Sequence, residues 1–395
     1  MKPRVFTVIL DGLGLGDLPD SQDFGDSGRN TLAHVCEGAE GISLPAMESL
    51  GLGLVQPFAG MNPSVMPRGF RGKMLEKSRG KDSTTGHWEL AGLLSPKPFP
   101  VYPEGFPPEI VRELEEVSGY RFLANRPASG TRILEELGEE HLRTGRPILY
   151  TSADPVMQIA AHEDVLDEKA LYMLCQQARE IMRGPHEVTR VIARPFTGIP
   201  GAFERSPGRR DFSLEPPRAT LLDLLLEAGI PVNGVGKVVD LFAGRGFSSR
   251  ISSKSNEEGM EHFTRLQSEM RSPGFALVNL VDFDMLWGHR NDVEGFAEGL
   301  QVFDRWLGTF LEGMRDEDWL FLTADHGNDP TGPGTDHTRE YVPILGFSPS
   351  MKSDCDLGIR RTFSDYAETV AGIFGLSPLG TGTSFLPSIR EAMNG

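Results

Sequence analysis

Cysteine is scarce in this sequence. Cys36, Cys175 and Cys355 are the only three, with no CxxC pair and no regular spacing, which excludes a disulfide framework and a thiolate zinc site and fits a reducing compartment. Long apolar runs are also lacking. No segment approaches the ~20 apolar residues that span a bilayer. The run from Val5 to Leu10, behind Met1-Lys2-Pro3-Arg4, is too short for a signal-peptide core and is ended by Asp11. A soluble, cytoplasmic protein with no membrane partner is expected. Positive charge is in deficit: 39 Lys and Arg face 56 Asp and Glu, a formal net charge of -17, which repels nucleic acid. A phosphate-bearing substrate would need local cations. Three common signatures are missing as well. Gly80-Lys81 is followed by Asp82, and the first glycine of a P-loop would fall at Leu75. Gly12-Leu13-Gly14 puts Asp17 where a dinucleotide fingerprint needs its third glycine. No Gly-Xaa-Ser-Xaa-Gly elbow supplies a nucleophile.

What is present is an ordinary globular composition, 39% hydrophobic and 24% charged, in 395 residues. That length exceeds a single core and implies two domains. Three short apolar runs give way at once to acidic or imidazole side chains: Val5 to Leu10 before Asp11, Leu277 to Val281 before Asp282 and Asp284, and Leu320 to Ala324 before Asp325-His326. Continuous apolarity suggests strands covered on both faces of a mostly parallel α/β sheet, whose ligand sites lie beyond the carboxyl ends. Ala219 to Ala228 reads as a helix stopped by Gly229, and Val232 to Val235 as a strand. From about Ser95 to Leu214, between proline-rich joints, helical patterns at Glu109 to Val117 and Thr131 to Leu142 alternate with strand-like runs at Ile148 to Tyr150 and Val191 to Ala193. The division is a core over 1–94 and 215–395, interrupted by a smaller α+β domain at 95–214.

Four segments carry candidate chemistry. Asp325-His326-Gly327-Asn328, with His337 eleven residues beyond His326, offers carboxylate and imidazole ligands for a divalent cation, against the bland reading of an Asp-His-Gly turn. Asp284 and His289 leave a second strand, and a second Asp and His set suggests a second metal, although alone they read equally well as loop residues. Asp11 joins them as a candidate ligand because two other strands end alike. The fourth is the hydroxyl-rich, glycine-flanked loop Gly80 to Trp88, where Ser83, Thr84 and Thr85 are three equivalent candidate nucleophiles or merely a polar turn. Together these point to two metals clamping a transferring phosphoryl group.

These motifs, Lys81-Asp82-Ser83-Thr84-Thr85-Gly86-His87-Trp88-Glu89, Tyr150-Thr151-Ser152-Ala153-Asp154, Val191-Ile192-Ala193-Arg194-Pro195-Phe196, Thr323 to Pro330 and Gly334 to Pro343, resemble the alkaline phosphatase superfamily and, more narrowly, its two-metal phosphopentomutase family. The likeness runs nearly end to end. It implies an alkaline-phosphatase-like α/β core with an inserted cap that closes over a sugar. It further implies that Asp284, His289 and His337 hold one manganese, and that Asp11, Asp325 and His326 hold another beside the nucleophile. Ser83, itself a metal ligand, is the implied phosphorylation site; the family pattern usually has threonine there, and Thr85 is a lesser candidate. Asp154, Ser152, Arg190, Arg194, Arg205 and Lys237 are the implied substrate groups, the basic ones suiting a phosphate dianion. For Arg190 and Arg205 a solvated-surface role competes. The implied activity exchanges the 1- and 5-phosphates of ribose and deoxyribose in a monomer primed by a sugar bisphosphate. The alternatives are a metal-dependent phosphatase or a cofactor-independent phosphoglycerate mutase of the same superfamily; a binding protein without turnover is disfavoured by the intact Ser83 hydroxyl.

Overall fold

The computed structural model describes residues 2–394. The chain forms two compact units, one running to Lys97 and resuming at Pro216, the other spanning Pro98–Glu215. Strands β1 (Arg4–Leu10) and β2 (Phe70–Met74) precede the second unit. Within it lie β3 (Leu123–Pro127), β4 (Ile148–Thr151), β5 (Val156–His162), β6 (Arg190–Ile199), β7 (Ala202–Arg205) and β8 (Arg210–Ser213). After it come β9 (Val232–Val235), β10 (Ser249–Ile251), β11 (Gly274–Leu280), β12 (Asp318–Thr323), β13 (Val342–Phe347) and β14 (Cys355–Arg360).

In the first unit the sheet order is β10-β9-β11-β1-β12-β13-β2-β14. The strands from β10 to β12 are mutually parallel, whereas β13 runs antiparallel to both β12 and β2. The three apolar runs therefore lie side by side, and β1 is buried along its whole length. Phe6 packs edge-on against Phe263 and Phe310, from helices Asn256–Glu269 and Val293–Glu312. Its neighbour Thr7 points to the other face, where its hydroxyl meets that of Tyr366 at 2.6 Å on helix Ser364–Phe374. Helices on both faces explain why β1 reads as continuously apolar rather than alternating. Arg4, the one cation in that strand, is fully buried: its Nε and Nη2 donate to the two oxygens of Asp318 at 2.7 Å, and its Nη1 donates to two backbone carbonyls. With its donors paired, the guanidinium can leave water.

Strand register fixes the active edge. Leu10 lies opposite Leu280, and Ile9 opposite Thr323, so Asp11, the turn after β11 and Ala324-Asp325-His326 all emerge at one end of the sheet. The helix expected near residues 219–228 is Leu221–Glu227; Thr220 and Asp223 form a reciprocal cap at its start, and Gly229 follows it at φ 74°.

The second unit has a mixed sheet, β3-β4-β5-β6-β7, with β8 also paired to β6. Alternate residues feed two cores: Leu149, Met157 and Ile159 face one, and Ile148, Tyr150 and Ala160 the other. The first core holds Ile110 and Leu114 of helix Pro108–Ser118 and Leu171 and Leu174 of helix Glu168–Ile181, and the second holds Ile133 and Leu134 of helix Arg132–Thr144.

One local expectation fails. Ser83 does not sit in a loop; it is the first residue of helix Ser83–Leu90, capped by Asp82. Ser-Thr-Thr-Gly is a poor helical sequence on propensity alone, but the Asp82 carboxylate satisfies the Thr85 N–H at 3.1 Å, and the whole helix is buried.

Candidate active site

Asp11 leaves β1 into a turn in which Gly12 takes φ 81°; a Cβ there would lie 2.9 Å from Asn328 Cβ. Asp284 and His289 leave β11 on a π-helical turn, Phe283–Trp287, followed by a 3-10 turn, Gly288–Arg290. Asp325 and His326 follow β12, and His337 returns after a loop. All except His289 are buried.

The side chains converge. His289 Nε2 lies 3.2 Å from Asp284 Oδ2, and His337 Nε2 lies 3.3 Å from Asp284 Oδ1. His326 Nε2 stands 3.4 Å from Asp11 Oδ1 and 3.3 Å from Asp325 Oδ2. Ligand atoms of Asp284, His289 and His337 lie within 4.8 Å of one another, as do those of Asp11, Asp284 and His326. Asp284 thus belongs to both groups. The rings of His326 and His337 stack at 3.9 Å between centroids.

This arrangement fits divalent cations. Three buried carboxylates share one small volume, and Asp11 Oδ1 accepts no hydrogen bond there, an arrangement that is unfavourable without positive charge. Burial, reinforced by the Asp325 carboxylate, pushes Asp11 up to about 7. Burial also opposes ionisation of Asp325 and Asp284. The flanking imidazoles, His326 and His87 for Asp325 and His337 and His289 for Asp284, outweigh it and hold both below the usual carboxylate range. Burial pulls His326 down to about 4, leaving a neutral imidazole able to coordinate. Carboxylate oxygens with imidazole nitrogens are the donor set for zinc, manganese and similar ions.

Ser83 lies against this cluster. Its Oγ is 3.2 Å from His326 Nε2 and 2.9 Å from Lys237 Nζ, which also reaches Asp11 Oδ2 at 3.3 Å. Gly86 lets the helix approach: a Cβ there would lie 2.0 Å from the Asp325 carbonyl oxygen. The Thr85 hydroxyl is committed elsewhere, donating to Asp82 Oδ2 at 2.6 Å. Several supporting residues were not singled out from sequence. Asn328 Nδ2 donates to Asp284 Oδ1 at 2.7 Å, and its N–H donates to the Gly12 carbonyl. His87 Nδ1 lies 2.8 Å from the Ser83 carbonyl and 3.1 Å from Asp325 Oδ2. His289 Nδ1 meets the Thr335 carbonyl at 2.6 Å, which aims Nε2 at Asp284. The strand-end pattern that exposed the ligands could have drawn attention to Asn328, which lies in the same Asp-His-Gly-Asn run.

Of the six expected substrate groups, Lys237 belongs to the first unit, beside Ser83. The other five belong to the second unit. There Arg190 approaches Asp154 at 3.9 Å and Asp211 at 3.3 Å, and its buried Nε makes no hydrogen bond. Arg194 Nε donates to Gln158 at 3.1 Å, and burial together with Arg209 pulls its guanidinium to about 10. Arg205 is exposed on β7, and its guanidinium occupies the space a Cβ at Gly130 would need. Ser152 is half-buried in the turn after β4. Arg209, which sequence reasoning passed over, holds Asp211 with two hydrogen bonds of 2.8 and 2.9 Å. Burial works against ionisation of Asp211, but Arg209 and Arg190 outweigh it and bring the carboxyl to about 2.

The Metalloenzyme superfamily profile matches residues 3–378. A phosphopentomutase from Caldanaerobacter subterraneus subsp. tengcongensis is 54% identical over 386 residues, covering 98% of both chains. One from Carboxydothermus hydrogenoformans is 52% identical, covering 98% of this chain and 100% of its own. One from Thermotoga maritima is 48% identical, with the same coverage. Among solved structures, the PH0037 protein of Pyrococcus horikoshii shares the fold at a TM-score of 0.50 and 16% identity, covering 95% of this chain and 98% of that one.

Proposed function

Since this chain belongs to the phosphopentomutase family of the Metalloenzyme superfamily, we propose that it interconverts the 1- and 5-phosphates of ribose and 2-deoxyribose through phosphorylated Ser83. The observation that carries this reading is the position of Ser83 Oγ, 2.9 Å from an ammonium and 3.2 Å from an imidazole of the candidate metal cluster. Phosphoserine 83 gives its phosphoryl group to the free hydroxyl of the incoming monophosphate: the P–Oγ bond breaks, a P–O bond to the sugar forms, and the proton lost by the sugar hydroxyl is balanced by the one that returns Ser83 Oγ to a hydroxyl. The resulting 1,5-bisphosphate reorients, Ser83 Oγ gives up its proton and bonds to the other phosphorus, and the P–O bond from that phosphorus to the sugar breaks, leaving a sugar hydroxyl once its oxygen takes up a proton. A sugar bisphosphate primes the unphosphorylated enzyme.

Asp284, His289 and His337 would hold one ion, and Asp11, Asp325 and His326 the other with Ser83; manganese suits these mixed donors. When bound, the ions neutralise phosphoryl charge and lower the pKa of the serine hydroxyl. Lys237 holds Oγ and balances charge on the departing and arriving phosphoryl oxygens. The amino end of helix Ser83–Leu90 adds its dipole at the same point. In the second unit, Asp154, Ser152 and the cluster of Arg190, Arg194 and Arg205 are assigned to substrate recognition, the guanidiniums to the phosphate that is not reacting. The enzyme is taken to act as a cytoplasmic monomer on small pentose phosphates.

The test is phosphopeptide mapping after incubation with a sugar bisphosphate, run alongside ribose 5-phosphate formation and free phosphate release. Phosphate on Ser83 and little free phosphate are expected. Predominant release of inorganic phosphate would instead make the chain a phosphatase, and phosphate on Thr85 with an active Ser83→Ala protein would move the nucleophile.

A further inference from the structure

His87 lies one helical turn beyond Ser83, fully buried, and faces three groups. Its Nδ1 is 2.8 Å from the Ser83 carbonyl oxygen and 3.1 Å from Asp325 Oδ2. Its Nε2 is 3.2 Å from Asn279 Nδ2, on β11. Both neighbours of Nδ1 are oxygens that only accept, so a bare lone pair there would be repelled by each; Nδ1 must carry a proton. The amide of Asn279 supplies a donor to Nε2, which is satisfied without a proton of its own. The Nδ1–H tautomer suits both ring nitrogens, and the Asn279 carboxamide on β11 selects it from the Nε2 side.

Resting on the assignment of Ser83 as the phosphorylated hydroxyl, we propose that His87, held in its Nδ1–H tautomer by Asn279, is a positioning residue that ties the nucleophile's backbone to the Asp325 carboxylate. Ser83 is the first residue of its helix, where a peptide is least restrained and frays most readily. Its carbonyl is gripped by His87, and the same imidazole edge bears on Asp325, whose other oxygen takes the Gly12 N–H at 3.3 Å. Asp325 Oδ2 is also 3.3 Å from His326 Nε2, the imidazole that faces Ser83 Oγ. Movement of the Ser83 peptide away from the ligands would therefore break its hydrogen bond to His87, the ring that also stands against Asp325 Oδ2. His87 itself touches no reacting atom.

Asparagine places an N–H close to that of histidine Nδ1, and glutamine places one close to Nε2. This gives a test that size alone cannot mimic. In the full-length enzyme, the rate of Ser83 phosphorylation by a sugar bisphosphate and the pentomutase kcat and KM are measured for His87→Asn, His87→Gln and Asn279→Leu. His87→Gln and Asn279→Leu should lose about 10–100-fold in phosphorylation rate and kcat with KM little changed. His87→Asn should lose several-fold less than His87→Gln. Equal loss in the Asn and Gln variants, or a loss confined to KM, would overturn the positioning role. Should any variant fail to fold, the 15N-histidine spectrum of the unmodified, magnesium-loaded protein decides: His87 should show a protonated Nδ1 and a bare Nε2, and the opposite tautomer sinks the inference. Phosphate found elsewhere than Ser83 in the unmodified enzyme would instead fault the nucleophile assignment while leaving the tautomer measurement standing.

Discussion

Ser83 carries a hydroxyl without the methyl group that its family pattern leads one to expect. The site is buried, so restoring that methyl asks the packing around the helix start to yield, at a typical cost of about 1–3 kcal/mol. Ser83→Thr should still be phosphorylated, on threonine, with a modest loss of stability, while Ser83→Ala should lose the phosphoenzyme altogether; phosphopeptide mapping and thermal melts check both. Asp211 offers a second test. Its carboxyl sits at about 2 rather than 3.8, so ionisation is favoured in the folded state. The stabilisation is fully present above about pH 4 and is lost as pH falls through 2. By linkage it is worth about 2 kcal/mol. Asp211→Asn should lower stability by about that amount at pH 7, with the gap from the parent narrowing between pH 4 and pH 2 in denaturant titrations.

Among elements, helix Ser83–Leu90 depends on contact without a side chain. Gly86→Ala would drive a methyl into the Asp325 carbonyl oxygen, 2.0 Å from where that Cβ would sit. Since the obstacle is backbone, the helix must move, and the rate of Ser83 phosphorylation should fall sharply, with a stability loss of about 1–3 kcal/mol. The loop before His337 is stitched in another way. Asn291, at φ 56°, donates through Nδ2 to the carbonyls of Pro330, Gly332 and Gly334 at 2.9 to 3.0 Å. Asn291→Ala should speed amide hydrogen exchange in residues 331–336 and weaken metal retention. These elements also mark how far the sequence could be read. The cluster of candidate ligands was legible because buried strands print as unbroken apolar runs and end abruptly in Asp or His. Helix Ser83–Leu90 was not, because capping and burial override weak propensity. His87 and Asn279 were not, because the contact that gives them meaning joins residues 192 apart in the chain. Arg209 was hidden by its place in a run of turn-like polar residues, where only β6–β8 pairing shows which cations meet.

For the whole molecule, the two units have separate cores, so their losses should be separable. Replacing residues 98–215 by a short linker should leave the first unit folded and able to bind metal, yet without pentomutase turnover; metal analysis and activity assays together check this. Stripping metal from the full chain should lower its melting temperature, since carboxylates that bound ions would compensate are then left facing one another. At a free metal concentration a hundredfold above the dissociation constant, the expected difference is about 2.7 kcal/mol per ion.

Asp284, which belongs to both candidate ligand groups, would turn two metal positions into one thermodynamic system. An ion seated at either position would draw on the same carboxylate charge, so the affinity of each would depend on whether the other is filled, and by reciprocity the dependence would be equal in both directions. Calorimetric titration should therefore not resolve two independent events. Asp284→Asn should cost both ions, whereas His289→Ala should mainly cost one.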